Sequence, residues 1–362
     1  MRAEFLPFSP PDIPDEGIRA VEELLRSDWP TTGARARQFE EEFAAYVGSK
    51  AALAVSSGTA AMQVSLAAFG VRAGDRVATT PLTFCATAHV IEHMGARPVF
   101  VDVDPETLDI SPAALERALA GEKFAAIMPV HLYGQPADMR AITALGERYG
   151  LAVVEDCCQA HLATCDGRPV GSFGVAAAYS FYPTKNLGAL GDGGAITTND
   201  AMLAAKMKRV RNGGQTDRYH HGEMGVNSRL DDIQAAILSA RLPYLAPWTE
   251  ARRTHAALYR RLLAGSAIQV PAEFDAGHVY HLFPVLSPRR DDLQAWLRAE
   301  GIETLIHYPV PIPRQPALQS ELPAACPEAD RVCAQVCSLP IYPGIPEADL
   351  HLVANAIRRF PA

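Results

Sequence analysis

Residues 177–199, A-A-Y-S-F-Y-P-T-K-N-L-G-A-L-G-D-G-G-A-I-T-T-N, are the most informative stretch of this chain. They predict an apolar strand, a turn that carries Lys185, and a glycine-rich return into a second strand. Pro183 restricts the backbone before the lysine, and the glycines after it allow other groups to approach closely. Lysine is usually a solvated surface residue. A lysine partly removed from water, however, can be a neutral amine near pH 7 and can form a Schiff base.

Short apolar runs alternate with helical patterns on both sides of this stretch, from about residue 51 to residue 210. The predicted strands are 51–55, 75–80, 97–103, 124–131, 151–156, 175–181 and 195–199. Continuous apolar strands that alternate with helices are typical of a mostly parallel sheet covered on both faces. The sequence therefore predicts an α/β fold, in which ligands bind at the carboxyl ends of the strands.

The C-terminal part of the chain has a different pattern. After an amphipathic helix at 229–242, Pro243 and Pro247 indicate a boundary near residue 245. Beyond it we expect helices at 248–264, 290–299 and 347–359 and strands at 279–286 and 303–307. We therefore predict a large domain at 1–245 and a smaller α+β domain at 246–362.

Composition limits the class of protein. The chain has 362 residues, of which 48% are hydrophobic and 20% charged, with a net charge of -8. This balance argues against a general nucleic-acid binder. The N-terminus lacks the apolar core of a signal peptide, and no run of about 18 apolar residues suggests a membrane span. We expect a cytoplasmic protein without nucleic-acid or membrane partners.

The seven cysteines are scattered, which fits a reducing compartment. Cys326, Cys333 and Cys337 raise the question of a metal site, and Cys333 and Cys337 would share a helix face. Their spacing matches no standard zinc pattern. We interpret them as small half-buried residues of an amphipathic helix and predict no metal site.

One group of residues at a predicted strand-to-helix turn could bind an anion. Ser57, Gly58 and Thr59 follow the strand at 51–55, and the free N–H groups of a helix N-terminus attract negative charge. Ser180, five residues before Lys185, could donate to the same anion. A simple capped helix remains the alternative for Ser57–Thr59.

Three further side chains follow other strand ends. Asp156 ends an apolar strand, where a carboxylate is costly unless it pairs with a cation such as a protonated pyridine. Gln159 lies one turn later and could reach a ring substituent. Phe84 could stack on a planar ring. The alternatives are an N-cap for Asp156 and core packing for Phe84. Taken with the anion site and Lys185, the set matches what pyridoxal 5'-phosphate requires.

With these residues taken together, the chain resembles the DegT/DnrJ/StrS family of sugar-nucleotide aminotransferases, which are fold type I pyridoxal-phosphate enzymes. The matching segments span nearly the whole chain: S-D-W-P-T-T-G (27–33), S-S-G-T-A-A (56–61), T-F-C-A-T-A (83–88), P-V-H-L-Y-G-Q-P-A-D-M (129–139), E-D-C-C-Q-A-H (155–161), S-F-Y-P-T-K-N-L-G-A-L-G-D-G-G-A (180–195), G-V-N-S-R-L-D-D-I-Q-A-A (225–236) and I-H-Y-P-V-P-I-P-R-Q-P-A (306–317). Cys157-Cys158 and Leu162 depart from the small residues that are usual there.

The resemblance implies an aspartate-aminotransferase-like fold and a role for each residue. Lys185 forms the Schiff base with the cofactor and moves a proton between cofactor and substrate. Asp156 pairs with the pyridine nitrogen. The other residues implied to contact the cofactor are Gly58, Thr59 and Ser180 at the phosphate, Phe84 on the ring, Gln159 near the ring hydroxyl, and Asn227 from a partner subunit. This implies a homodimer with shared active sites. By analogy, the N-terminal helix at 12–27 is expected to pack on the small domain.

The lysine motif, the segment I-H-Y-P-V-P-x-x-R-Q-P-A (306–317) and the segment N-S-R-L-D (227–231) resemble the members that aminate C-3 of a keto-sugar nucleotide. The lysine motif F-Y-P-T-K-N-L-G-A-L-G-D-G-G differs from the F-H-P and T-T-G-E-G-G of members that act at C-4. The resemblance thus implies transfer of an amino group from L-glutamate to a dTDP-3-keto-6-deoxyhexose. A UDP-linked 3-keto hexuronate and a 4-keto sugar nucleotide are the alternatives. The candidate substrate residues are Thr32, Tyr182, His307 and Tyr308.

Two other activities compete with this interpretation. Related sugar dehydratases replace the lysine with histidine or bind an iron–sulfur cluster, whereas Lys185 is present and the cysteines do not cluster. A cofactor-binding sensor would not need an intact lysine, aspartate and anion site. We therefore predict an aminotransferase.

Overall fold

A computed structural model describes residues 5–10, 12–26, 31, 33–318 and 325–361. Over these ranges the helices are α1 (Asp15–Arg26), α2 (Ala34–Val47), α3 (Gly58–Phe69), α4 (Ala86–His93), α5 (Pro112–Gly121), α6 (Met139–Tyr149), α7 (Ala201–Val210), α8 (Asp232–Arg241), α9 (Leu245–Leu263), α10 (Arg290–Ala299), α11 (Pro327–Gln335) and α12 (Glu347–Arg358). The strands are β1 (Ala51–Val55), β2 (Arg76–Thr79), β3 (Arg97–Phe100), β4 (Ala126–Met128), β5 (Ala152–Asp156), β6 (Thr164–Cys165), β7 (Arg168–Pro169), β8 (Ala176–Ser180), β9 (Gly194–Thr198), β10 (Gln215–Asp217), β11 (His220–His221), β12 (Phe283–Leu286) and β13 (Val336–Leu339).

The central sheet has seven strands in the order β1-β9-β8-β5-β4-β2-β3. Strand β9 runs antiparallel to both of its neighbours, and the other pairs are parallel. The seven strands predicted from the sequence are therefore all present, in a mostly parallel sheet. The carboxyl ends of β1, β2, β5 and β8 lie at one edge, which is the edge that the polar side chains were predicted to share.

Successive residues of each strand contribute to different cores. Ala176 and Ala178 of β8 pack in a core with α3, α4 and α7, whereas Ala177 and Tyr179 pack in a core with α2 and α8. Helices α5 and α6 cover another part of the sheet. Because side chains alternate across a strand, both faces need apolar residues. This two-sided burial explains why the strands are continuous apolar runs.

The C-terminal part forms a further core from α9, α10, α12, β12 and β13. Strands β12 and β13 pair antiparallel. The predicted strand at 303–307 is wrong: among these residues only Leu305 makes an isolated bridge, to Ser338. The 303–307 segment thus meets β13 only at that point, on the edge opposite β12. The division of domains near residue 245 stays a prediction.

Two other sequence predictions need correction. Helix α1 packs against α8, and Glu16 of α1 accepts a hydrogen bond from the Tyr244 hydroxyl. Both contacts lie on the N-terminal side of the predicted boundary at residue 245, so the expected packing on the small domain is wrong. The residues before α1 reach the C-terminal part instead, since Leu6 belongs to its core and bridges Ile302. Cys337 lies on β13 and not on the helix that carries Cys333, because α11 ends at Gln335. The two cysteines therefore do not share a helix face.

Helices long and apolar enough to cross a membrane are not found in the part of the chain that the structure describes.

Candidate active site

A cavity of about 500 Å³ opens at the carboxyl ends of the strands. It is bordered by the turns after β1, β2, β5 and β8 and by two segments of the C-terminal part. Most of the predicted site residues line it: Gly58, Thr59, Phe84, Asp156, Gln159, Ser180, Tyr182, Lys185, His307 and Tyr308. Residues that are up to 250 positions apart in the sequence thus share one cavity.

Lys185 is half-buried in the loop between β8 and β9. Its backbone N–H donates to the Tyr182 carbonyl at 2.8 Å, and the Ala189 N–H donates to the Phe181 carbonyl at 2.7 Å. Gly188 is required because a Cβ there would lie 2.5 Å from the Pro183 oxygen. The loop is therefore held at its base while the lysine side chain enters the cavity.

Burial lowers the pKa of Lys185 from its ordinary value, against the opposing effect of Cys158 and Asp156. Taking an ammonium out of water disfavours its charged form. The neutral amine is the form that can attack a carbonyl carbon or accept a proton from a substrate. The structure therefore provides the partly desolvated lysine that the sequence predicted.

Asp156 is buried at the end of β5, and both of its carboxylate oxygens accept a hydrogen bond. Cys158 N–H donates to Oδ1 at 3.1 Å, and the Thr87 hydroxyl of α4 donates to Oδ2 at 2.9 Å. The Thr83 hydroxyl lies 3.1 Å from that of Thr87. None of the described cations forms an ion pair with Asp156. A buried, oriented carboxylate without a cation is suited to bind one.

Thr87 was not predicted as a site residue from the sequence. Thr83 precedes α4, so the spacing of Thr83 and Thr87 does not place both hydroxyls on one helix face. The contact with Asp156 joins residues 69 positions apart, which no local pattern indicates.

Gly58 begins α3, whose N-cap Ser57 accepts from the Ala60 N–H. A Cβ at Gly58 would lie 2.7 Å from Cys158 Sγ and 2.8 Å from Ser180 Cβ. Only glycine therefore lets α3 begin this close to the end of β8. The turn brings Thr59, Ser180 and the first N–H groups of α3 to one corner of the cavity, where an anion is favoured by the helix dipole.

Gln159 connects two parts of the cavity wall. Its Oε1 accepts from the Tyr133 N–H at 2.8 Å, and its Nε2 donates to the Tyr308 hydroxyl at 3.1 Å. The Tyr133 hydroxyl in turn donates to the His307 carbonyl. Burial raises the pKa of Tyr308, so its hydroxyl stays protonated. The 307–308 segment is thus attached, through Gln159 and Tyr133, to the part of the chain that carries β5.

Two histidines, His281 and His307, line the cavity in uncharged form. Burial, with a smaller contribution from Lys185, lowers the pKa of His307 to about 4 and that of His281 well below its ordinary value. His307 Nδ1 lies 3.0 Å from Ser338 Oγ, and His281 Nδ1 lies 3.2 Å from Asn186 Oδ1. His281 is a second residue that the sequence analysis did not assign, because the segment 279–286 was predicted only as a strand.

The aromatic residues lie toward the opening of the cavity. Phe84 is 55% exposed and Tyr182 is 53% exposed. The Phe84 ring lies 6.1 Å from that of Tyr308. Phe84 is therefore not a core residue, and its ring is free to stack on a planar ligand.

Two predicted residues are not in this cavity. Asn227 is exposed and does not line it, although Ser228, next to it, accepts from the Ser56 N–H at 3.1 Å. Thr32 lies outside the residues that the structure describes. Of the twelve predicted site residues, the structure thus places ten around one cavity.

A buried group of His131, Glu155 and Cys157 has potential metal-ligating atoms close together. Glu155 accepts from the N–H groups of Gly171, Phe173 and Gly174. His131 accepts from Ala137 N–H through Nδ1 and lies 3.2 Å from Glu155 through Nε2. These hydrogen bonds occupy the Glu155 oxygens and the His131 nitrogens, so the pair connects the segment after β4 to the turn before β8.

The residues present fit pyridoxal phosphate. The cavity offers an amine, a buried carboxylate without a cation, and a helix N-terminus suited to an anion, where only glycine fits against Ser180 and Cys158. When bound, this cofactor supplies an aldehyde for the amine and a ring that takes up electrons from the bond being broken. A lysine and a carboxylate in this arrangement, at the strand ends of such a sheet, define a fold type I pyridoxal-phosphate enzyme.

Comparison with known proteins identifies the family. The DegT/DnrJ/EryC1/StrS aminotransferase family matches residues 11–358, and the chain belongs to it. The protein is accordingly a pyridoxal-phosphate-dependent aminotransferase, and its predicted fold class is confirmed.

Several curated relatives cover nearly the whole chain. A pleiotropic regulatory protein of Geobacillus stearothermophilus is 46% identical over 95% of this chain and 94% of its own length. A UDP-N-acetyl-3-dehydro-α-D-glucosamine 3-aminotransferase of Acidithiobacillus ferrooxidans is 40% identical over 99% and 96%. A dTDP-3-amino-3,4,6-trideoxy-α-D-glucose transaminase of Streptomyces venezuelae is 41% identical over 94% and 91%.

Solved structures share the fold. DesV of S. venezuelae, in complex with a ketimine intermediate, is 40% identical with a TM-score of 0.92 and covers 96% of this chain and 98% of that one. NtdA of Bacillus subtilis, with bound cofactor PMP, is 30% identical with a TM-score of 0.90 over 99% and 85%.

Proposed function

We propose that this enzyme transfers an amino group from L-glutamate to C-3 of a nucleotide-linked 3-keto sugar, in the cytoplasm. The observation that carries the proposal is the cavity in which half-buried Lys185 shares a wall with Asp156, a buried carboxylate without a cation. Our first candidate for the acceptor is a dTDP-3-keto-6-deoxyhexose. The lysine motif and the name of the S. venezuelae relative support this choice.

Each residue then has a role. Lys185 holds the cofactor and moves the proton between the cofactor and the carbon that gains or loses the amine. Asp156 keeps the ring nitrogen protonated, while Gly58, Thr59 and Ser180 bind the phosphate. Phe84 covers one face of the ring, and Gln159 lies near the ring hydroxyl.

His307 and Tyr308 lie at the sugar end of the cavity, with Tyr182 at its opening. The lowered pKa of His307 keeps this imidazole uncharged at pH 7. It can therefore exchange hydrogen bonds with sugar hydroxyls without attracting the nucleotide phosphates. Thr32 is proposed as a further substrate residue.

A second candidate acceptor is a UDP-linked 3-keto sugar, including a 3-keto hexuronate. The A. ferrooxidans relative, whose name gives such a substrate, covers slightly more of this chain than the S. venezuelae relative does. Both candidates place the new amine on C-3.

The test has two stages. Enzyme loaded with pyridoxal phosphate is first mixed with L-glutamate, and we expect the visible absorption of the lysine-bound cofactor to disappear. A panel of dTDP- and UDP-linked 3-keto and 4-keto sugars is then added, and mass spectrometry identifies the aminated product. If no common amino acid bleaches the band, the proposed amino transfer is contradicted and the alternative of a cofactor-binding sensor is favoured. Amination of only a 4-keto sugar would contradict the C-3 assignment.

We further propose a homodimer in which Asn227 reaches the phosphate of the partner's cofactor. Its exposure outside the cavity of its own chain supports this. Inactive Lys185→Ala and Asn227→Ala proteins are unfolded, mixed and refolded together. Shared sites would restore about a quarter of the wild-type activity, because half of the dimers are mixed and each has one intact site. No recovery would show that Asn227 acts within its own chain.

A further inference from the structure

A second, smaller cavity borders the Lys185 loop. Its volume is about 30 Å³, and residues 183–186 form part of its wall together with the side chains of Arg241 and Arg252. A water-sized occupant needs roughly 10–15 Å³ of such space. The cavity can therefore hold a small ion or one or two waters, and it is too small for a sugar or a nucleotide.

Arg252 is a buried cation in this wall, with only 4% of its surface exposed. Its Nη1 donates to the carbonyls of Tyr280, His281 and Ile341 at 2.9–3.2 Å. Its Nε is buried and has no acceptor among the described residues. Burial lowers the pKa of Arg252 to about 10, so the group is still charged at pH 7.

Arg241 is the second buried cation, with 3% of its surface exposed. It donates to the Gly188 carbonyl in the lysine loop, and its Nε also has no acceptor within the described part of the chain. The nearby negative group is exposed Asp12, which also borders the cavity but does not form an ion pair with either arginine in the described structure. Two buried positive charges without a buried negative charge are costly.

We propose that this cavity binds a small monovalent inorganic anion, chloride, between Arg241 and Arg252. The anion would accept hydrogen bonds from guanidinium groups and would add a buried negative charge, whereas Asp12, the carboxylate among the described lining residues, is exposed. Water can accept the same hydrogen bonds but brings no charge. The bound ion would connect two supports of the active site, since Arg241 holds Gly188 and Arg252 holds the carbonyl of His281.

The first test is thermal unfolding of the holoenzyme in sodium chloride, sodium bromide and sodium gluconate at equal ionic strength. We expect the halides to raise Tm in a saturable way, by about 2 °C or more. The Arg252→Met variant should lose this rise. The control, Arg261→Met, removes an exposed arginine from the same helix and should keep it. A rise that does not saturate, or that persists in Arg252→Met, is a general salt effect and would overturn the proposal.

A second measurement decides the question if Arg252→Met does not fold. Crystals of the wild-type holoenzyme grown in sodium bromide should show an anomalous scattering peak in this cavity, within hydrogen-bonding distance of Arg241 and Arg252. Density for water alone, without an anomalous signal, would overturn the proposal.

Discussion

Replacing Thr87 with valine tests how the carboxylate of Asp156 is held. The change keeps the shape of the side chain and removes the hydroxyl that donates to Asp156 Oδ2 at 2.9 Å. A hydrogen bond to a charged group contributes about 1.5–3 kcal/mol. If this bond supports the ionised form that pairs with the ring nitrogen, the dissociation constant for pyridoxal phosphate should rise by about 10- to 100-fold. The turnover rate should fall as well.

The assay is titration of the apoenzyme with pyridoxal phosphate, followed by absorbance. Thr87→Ser keeps the hydroxyl and should retain most of the affinity. Thr143→Val, on α6, also removes a hydroxyl that bonds only to helix carbonyls, and it should leave the affinity unchanged. The reasoning is refuted if Thr87→Val binds like the wild type. It is also refuted if Thr87→Ser loses as much affinity as Thr87→Val, because the effect would then come from packing.

Three further predictions follow from the same site. Lys185→Ala should abolish turnover while still holding the cofactor noncovalently, so borohydride should attach the cofactor to the wild type only; normal turnover in the variant would contradict the assigned role. Gly58→Ala should weaken cofactor binding, because the new Cβ would lie 2.8 Å from Ser180 Cβ, whereas Gly17→Ala, with nothing within 4 Å, should bind normally; equal affinities in titration would argue against the anion corner. His307 has a folded pKa of about 4 and an ordinary, unfolded pKa near 6.5. Between these two pH values the unfolded chain binds a proton at His307 and the folded chain does not. The free energy of unfolding therefore falls as the pH drops through this window, by at most about 3 kcal/mol and by less because the ring is partly exposed. His307→Gln should lose less stability than the wild type between pH 7 and pH 4.5 in urea unfolding, and equal losses would be inconsistent with the lowered pKa.

The sequence predicted those parts of the site that follow directly from strand ends. Asp156 and Ser180 end apolar runs in two paired parallel strands, so their common edge follows from the parallel pairing. Gly58 begins a helix right after a third apolar run, whose strand runs the same way as β8 because both pair antiparallel with β9. Thr87 and His281 were not predicted because their roles depend on which elements pack side by side. A local sequence pattern does not show that α4 and β5 are in contact.

The same limit explains the errors in the C-terminal part. The segment 303–307 was predicted as a strand, yet a strand needs a partner along its length, and here only Leu305 bridges β13, at Ser338. Strand β13 was not predicted because its small and apolar residues follow directly on those of α11 and look like a continuation of that helix. Pairing partners about 30 to 55 residues away decided both cases.

The position of β9 has a consequence for how the enzyme is made. This strand lies between β1 and β8, and Gly194 pairs with both Val55 and Ser180. Gly58 follows β1 and Ser180 ends β8, and these two strands are joined only through β9. A nascent chain that has left the ribosome as far as Lys185 would already have every cofactor-binding residue predicted within one subunit, and β8, β5, β4, β2 and β3 could pair, but β1 and the Gly58 turn would not yet be attached to them. Cofactor capture should therefore begin only after residue 198 has emerged, and it would report that the central sheet is complete.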